Sequence, residues 1–191
     1  LAELELISAS LAALDAIGLS KATIRVNDRR LLKKQLDAAG IGDNQEQAMI
    51  AIDKLDKIGL EKVVEEIAES WGKESAEKVS AWLSADARDW PEELAWVQKL
   101  GDTAARLRYD PSLVRGMGYY TGAIFEIEYP GAESSIGGGG RYDEMVGRWA
   151  GTDTPAAGIS LGIERIIELA QIDSSGKKSL VVLIEDDFAG A

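Results

Sequence analysis

Apolar residues recur every three or four positions at the start of the chain, at Leu4, Ile7, Leu11 and Leu14, so residues 2–17 read as one amphipathic helix. Gly18 is placed to end it. The period then changes. ATIRVN at 22–27 alternates and is rich in β-branched residues, which predicts a strand. Asn27 or Asp28 stands where a cap is needed for a helix over 29–39, closed by Gly40. From Asp43 to about Gly101 the chain is charged and helical in pattern, with short apolar stripes at Val63, Val64, Ile67 and Trp71, at Val79, Trp82 and Leu83, and at Leu94, Val97 and Leu100. No strand signal interrupts it. It reads as a helical insertion packed around Trp71, Trp82, Trp90 and Trp96, with Pro91 opening its last helix.

Strand periodicity returns after Pro111. Residues 119–129 and 134–139 are expected to form an antiparallel pair, turned at Pro130 and Gly131. A short helix over 141–149, a small-residue strand over 157–161 and a helix over 163–170 follow. DSSGKK at 173–178 reads as a linker, and Leu180 to Ile184 as a strand that begins a further domain. The fold class is therefore α+β, a mostly antiparallel sheet flanked by helices. Its expected parts are a first core segment (1–41), a helical insertion (42–101), a second core segment (102–172) and a linker with the start of another domain (173–191).

Composition narrows the chemistry. With 191 residues, 46% of them hydrophobic and 28% charged, the chain can bury a core and is not a disordered polymer. It has no cysteine and no histidine. Disulfides, thiolate nucleophiles, imidazole acid–base catalysis and the usual zinc sites are excluded. Chemistry must run on arginine, lysine, carboxylates, tyrosine and backbone dipoles. The net charge of −12 argues against a general nucleic-acid binder. Lys21, Arg25, Arg29, Arg30, Lys33 and Lys34 nonetheless crowd one region, either as a local patch that steers a polyanion or as a solvated helix face. No apolar run reaches the roughly 20 residues needed to span a bilayer, and no signal peptide is visible, so a cytoplasmic location is expected. A chain opening on Leu1 rather than Met is expected to be part of something longer.

The stretch LVRGMGYYTGAIFEIEYPGAESSIGGGGRY, residues 113–142, concentrates the candidate site. It brings Arg115, Tyr119 and Tyr120 toward four consecutive glycines, Gly137 to Gly140, and then Arg141. A strand bearing a cation and phenols beside a strand without side chains makes a floor for a flat, polar, anionic ligand. A glycine-rich hairpin with a surface arginine is the plainer alternative.

RGMGYYTGAIFE resembles the histidine-binding signature of histidyl-tRNA synthetases, RG-x-x-YYTG-x-x-FE. SSIGGGGRYDEMV resembles that family's second signature, and AAGISLGIERII its class II motif three. The three stand in family order, and the resemblance extends from residue 1 to about 185. It implies a class II synthetase fold that activates L-histidine with ATP and Mg2+ and charges tRNA(His), as a cytoplasmic homodimer in the full-length protein. By position, Arg115 would face the substrate carboxylate and the α-phosphate. Tyr119 and Tyr120 would line the histidine pocket with Gly138 and Gly139. Gly158 and Gly162 would lie beneath adenine or ribose, and Arg165 would face the terminal phosphates. Glu126 and Glu164 occupy commonplace carboxylate positions, and no metal ligand is assigned. The resemblance also implies a tRNA-acceptor contact for the insertion. An anticodon-binding domain would follow residue 191, and motifs one and two would lie before residue 1. On that basis the chain alone is expected to activate histidine poorly or not at all. Residue 118 is glycine where many members carry aspartate. A histidine-binding regulatory subunit of ATP phosphoribosyltransferase shares this fold and is the alternative.

Overall fold

The computed structural model describes residues 2–85, 89–115 and 118–170. The linker and strand expected beyond residue 172 lie outside the described residues. The first elements follow the sequence pattern closely. Helix α1 (Ala2–Ala16) buries Ile7, Leu11 and Leu14, and Gly18, at φ 84°, lets the chain reverse. Strand β1 (Thr23–Asp28) leads directly into α2 (Arg29–Ala38). Asp28 is the cap: its carboxylate accepts from the Arg30 amide at 2.8 Å, satisfying a donor that the first helical turn leaves free.

Four short helices follow, α3 (Gln45–Ile52), α4 (Leu55–Ile58), α5 (Leu60–Trp71) and α6 (Lys73–Leu83). Their apolar stripes meet in a core of Met49, Ile52, Val63, Ile67, Ala76 and Val79. That core is continuous with Leu32 and Leu36 of α2 and with Leu113, Val114 and Ile124. Trp71 and Trp82 pack on it, as expected, but Trp90 and Trp96 do not. The segment Glu92–Arg106 is a 3-10 coil with a break at Gly101, and it buries Leu94 and Val97 against α1 and the sheet. The two tryptophans follow those residues into the second core. The apolar repeat of a 3-10 coil is close enough to that of an α-helix to be read as one.

The sheet has five strands in the order β2-β1-β3-β4-β5, with β2 (Leu107–Tyr109), β3 (Ala123–Glu128), β4 (Gly137–Arg141) and β5 (Ala157–Leu161). β1 and β2 run parallel, and the other three pairings are antiparallel. Helix α7 (Asp143–Ala150) joins β4 to β5, and α8 (Ile163–Leu169) ends the described chain. β3 starts at Ala123, later than the strand expected from Tyr119, and the turn at Tyr129 to Ala132 contains Gly131 at φ 90°.

Register assigns the two faces. Arg25 pairs with Glu126, Glu126 with Gly138, and Gly138 with Ser160, so these four share one face. Their neighbours Ile24, Val26, Phe125 and Ile127 share the other, packed against Ile7, Leu11 and Leu14 of α1. One side of the sheet is therefore a core wall and the other a polar floor.

Candidate functional site

Three glycines of the polar floor lie beneath three of the protein's own side chains. A Cβ on Gly138 would fall 2.5 Å from Cζ of Arg115. One on Gly140 would fall 2.8 Å from the ring of Tyr120, and one on Gly158 2.5 Å from the hydroxyl of Tyr142. Gly140 pairs with Gly158, so the arginine and the two phenols stand in a row across β4 and β5. The glycines thus admit these three side chains against the backbone, where an open floor for ligand alone was expected. Gly139 belongs to the opposite side, where an added Cβ would run into the Gly158 carbonyl. Arg141 is also turned away, paired with Glu3 and Asp143.

Arg115 sits in the left-handed region at φ 32°, a conformation that side chains other than glycine rarely adopt. Its Nη1 donates to Glu126 Oε2 at 2.7 Å. The Tyr119 and Tyr120 rings are 4.3 Å apart between centroids and tilted by 45°. Successive strand residues would point to opposite faces. Because β3 begins only at Ala123, the two rings lie side by side instead. Tyr119 is exposed and Tyr120 half-buried, and burial, together with the neighbouring Tyr119, pushes the Tyr120 hydroxyl well above the usual phenol range. Tyr142, 6.4 Å from Tyr120 between centroids, extends the aromatic row and was not singled out from sequence. Its signal is an aromatic residue two positions after the last glycine of the run.

Arg165 stands apart from this group. It is exposed on α8, a helix of 7 residues, and donates to the Ser135 carbonyl in the loop before β4. Gly162 supplies the tight join into α8, its amide bonded to the Ile136 carbonyl at 2.8 Å. Between Ser135 and Arg25 a cavity of about 440 Å3 opens over the sheet, bordered by Asp53, Asp56, Ser112 and Glu126.

The sequence model of the histidyl-tRNA synthetases matches residues 1–166. The chain belongs to the histidyl-tRNA synthetase family. It is 45% identical to a histidine–tRNA ligase of Leifsonia xyli subsp. xyli, over 97% of this chain and 49% of that protein. It is 39% identical to one of Aeropyrum pernix, over 87% of this chain and 43% of that protein. The chain thus spans about half the length of the curated relatives it matches. Among solved structures, histidyl-tRNA synthetase from Nostoc sp. PCC 7120 superposes with a TM-score of 0.74 at 25% identity, covering 87% of this chain and 46% of that one. A Bacillus halodurans C protein described as an ATP phosphoribosyltransferase regulatory subunit/histidyl-tRNA synthetase superposes at 0.72 with 21% identity, over 89% and 50%. The mostly antiparallel sheet flanked by helices is the class II synthetase fold that these neighbours share. No described helix is long and apolar enough to cross a membrane.

In this synthetase family member the six crowded cations of the first segment do not form a single patch. Arg25 and Arg29 are buried, Arg30 is held by Asp28, and Lys34 pairs with Glu93. Lys21 and Lys33 remain exposed. Arg25 donates to Asp110 at 2.8 Å and to Asp56 at 3.0 Å, tying the sheet to the helical insertion. Arg29 donates to both oxygens of Glu46 in α3, while its Nε and Nη1 are buried with no partner among the described residues. Glu46 Oε2 also comes within 3.5 Å of where a Cβ on Gly118 would stand. A carboxylate from the insertion therefore reaches the position at which family resemblance expects an aspartate.

Burial raises the Asp110 carboxyl, but hydrogen bonds from Ser112 and the adjacent Arg25 outweigh it and hold the group below its ordinary range. A depressed carboxylate contributes stability that is present above its unfolded value, about pH 4, and lost as the pH falls through the lower folded value. Asp110→Asn is expected to cost about 3 kcal/mol at pH 7, because it removes a partner of a buried arginine. The gap from wild type should narrow below about pH 4. Urea denaturation at neutral and acidic pH measures both. A gap that stayed constant with pH would disprove the role of the charge.

Proposed function

We infer that the polar floor is the amino-acid and α-phosphate side of a site for ATP-dependent activation of L-histidine, followed by transfer to tRNA(His). The observation that supports this best is the Arg115 guanidinium laid flat on Gly138, with the Tyr119–Tyr120 pair beside it. In activation, a histidine carboxylate oxygen attacks the α-phosphorus of ATP, and the bond to the pyrophosphate leaving group breaks. The nucleophile is already ionised, so no general base is needed. Two anions must be held together while charge builds at phosphorus, which is a task of positioning and electrostatic stabilisation. A planar guanidinium suits both oxyanions at once. This is chemistry that a chain without histidine or cysteine can perform.

Arg165 would meet the terminal phosphates once its side chain leaves the Ser135 carbonyl. Gly158 and Gly162 would border the adenosine, with Gly139 holding the strand spacing rather than touching histidine. Family resemblance brings Mg2+ with the nucleotide. Among the described residues no group of three or more acidic side chains stands ready to hold it, and Arg115 and Arg165 are the cations this chain would contribute beside it.

The experiment is histidine-dependent ATP–pyrophosphate exchange, measured on the full-length protein that carries this sequence. Exchange with histidine and with no other amino acid supports the ligase. Saturable histidine binding without exchange would instead identify a regulatory subunit of ATP phosphoribosyltransferase, a reading favoured only by the description of the Bacillus halodurans C neighbour. In the ligase, Tyr120→Phe removes one hydrogen bond and should weaken histidine binding by about 1 kcal/mol, roughly fivefold. Calorimetric titration with histidine tests it, and unchanged affinity would remove the hydroxyl from the site.

A further inference from the structure

Glu126 occupies the centre of the polar floor. It lies opposite Arg25 on one side and Gly138 on the other. Two arginines are within reach of this one carboxylate, and the structure shows how they are sorted. Arg25 is drawn toward Asp110, Asp56 and Ser112, at 2.8, 3.0 and 3.3 Å. Glu126 is left to Arg115, whose Nη1 donates to it at 2.7 Å. Beneath that contact Gly138 carries no side chain, so the guanidinium can lie against β4. At its other end Arg115 leaves the backbone from a left-handed conformation. An arginine side chain is long and rich in rotamers, and neither feature alone would fix its head group. Glu126 does so, by holding one of the three nitrogens.

We propose that Glu126 is a positioning residue for histidine activation: it pins Nη1 of Arg115 so that the opposite edge, Nε and Nη2, is presented to the oxyanions. The proposal rests on the ligase reading of the site and adds to it a residue that touches neither substrate. It also explains why a carboxylate can stand in an anion site without repelling the ligand. Its charge is spent on Arg115, which pairs with no other carboxylate among the described residues and has the Tyr120 hydroxyl as its further neighbour. A bidentate partner needs the opposite edge aimed as well as charged. A displacement of about 1 Å at a reacting centre is enough to lower a rate by about a hundredfold.

The test compares Glu126→Gln, Arg115→Ala and the double variant in the full-length protein, with kcat and KM for histidine from pyrophosphate exchange. Glu126→Gln should lower kcat by roughly 10- to 100-fold with KM changed less than about threefold, because the loss falls on the transition state. In the Arg115→Ala background the same change should add nothing, since the two act as one unit. A second readout is independent of turnover. Mass spectrometry after phenylglyoxal treatment reports how fast Arg115 is modified, and Glu126→Gln should accelerate it several-fold in this chain. A kcat within about threefold of wild type, multiplicative losses in the double variant, or an unchanged labelling rate each overturns the proposal. Absence of exchange in the wild type would overturn the ligase reading instead. The labelling rate then decides whether Glu126 holds Arg115.

Discussion

Arg115→Ala is expected to reduce histidine-dependent pyrophosphate exchange in the full-length protein by about 100- to 1,000-fold, the usual loss when one charge-stabilising donor is removed. The fall should appear in kcat more than in KM, because the guanidinium is aimed at charge that develops during the reaction. Stability should change little by comparison. The Arg115 and Glu126 side chains are 28% and 20% exposed, so solvent partly compensates the carboxylate left behind. Pre-steady-state adenylate formation and a thermal melt separate the two effects. Exchange within a few-fold of wild type would reduce the Arg115–Glu126 pair to a structural tie across the loop.

The second large effect distinguishes two adjacent glycines. Gly139→Ala should destabilise the fold by about 3 kcal/mol, because the new methyl group meets the Gly158 carbonyl and β4 and β5 cannot move apart cheaply. Gly138→Ala meets first the far end of the Arg115 side chain, which can swing aside. Its stability should stay within about 1 kcal/mol of wild type while exchange falls roughly tenfold or more. Denaturant titration paired with exchange kinetics resolves the contrast. Equal loss of stability in both variants would contradict the assignment of the two residues to opposite faces.

Legibility of the fold followed the density of side-chain information. α1, α2, β5 and α8 were read to within a residue or two, since each has a clear period and a stop signal such as Gly18 or Gly40. β4, Gly137–Arg141, starts three residues and ends two residues later than expected, because a run of glycines carries no alternation and its limits are set only by its partners. β2, with 3 residues, is too short for a period and exists through its pairing with β1. Within the site, the residue types were legible and their arrangement was not. Alternation in ATIRVN marks Arg25 and Asn27 as facing away from Ile24 and Val26. It cannot reveal that Arg25 meets Asp110, 85 residues later. Nor does any local pattern connect Glu46 with Gly118. Such contacts depend on how the insertion folds back over the sheet.

That long separation has a consequence for synthesis. Every strand that borders β1 follows it by the length of the whole insertion. With Asp110, just past β2, 85 residues downstream of Arg25 and translation at about 5–20 residues per second, β1 waits on the order of ten seconds with both edges unpaired. During that interval only helical segments emerge, and none of them can pair with its edges. Arg25 and Asn27, which later brace the polar floor, meanwhile keep one face of the nascent strand polar. A polar face of this kind is one of the devices by which a strand with open edges resists aggregation.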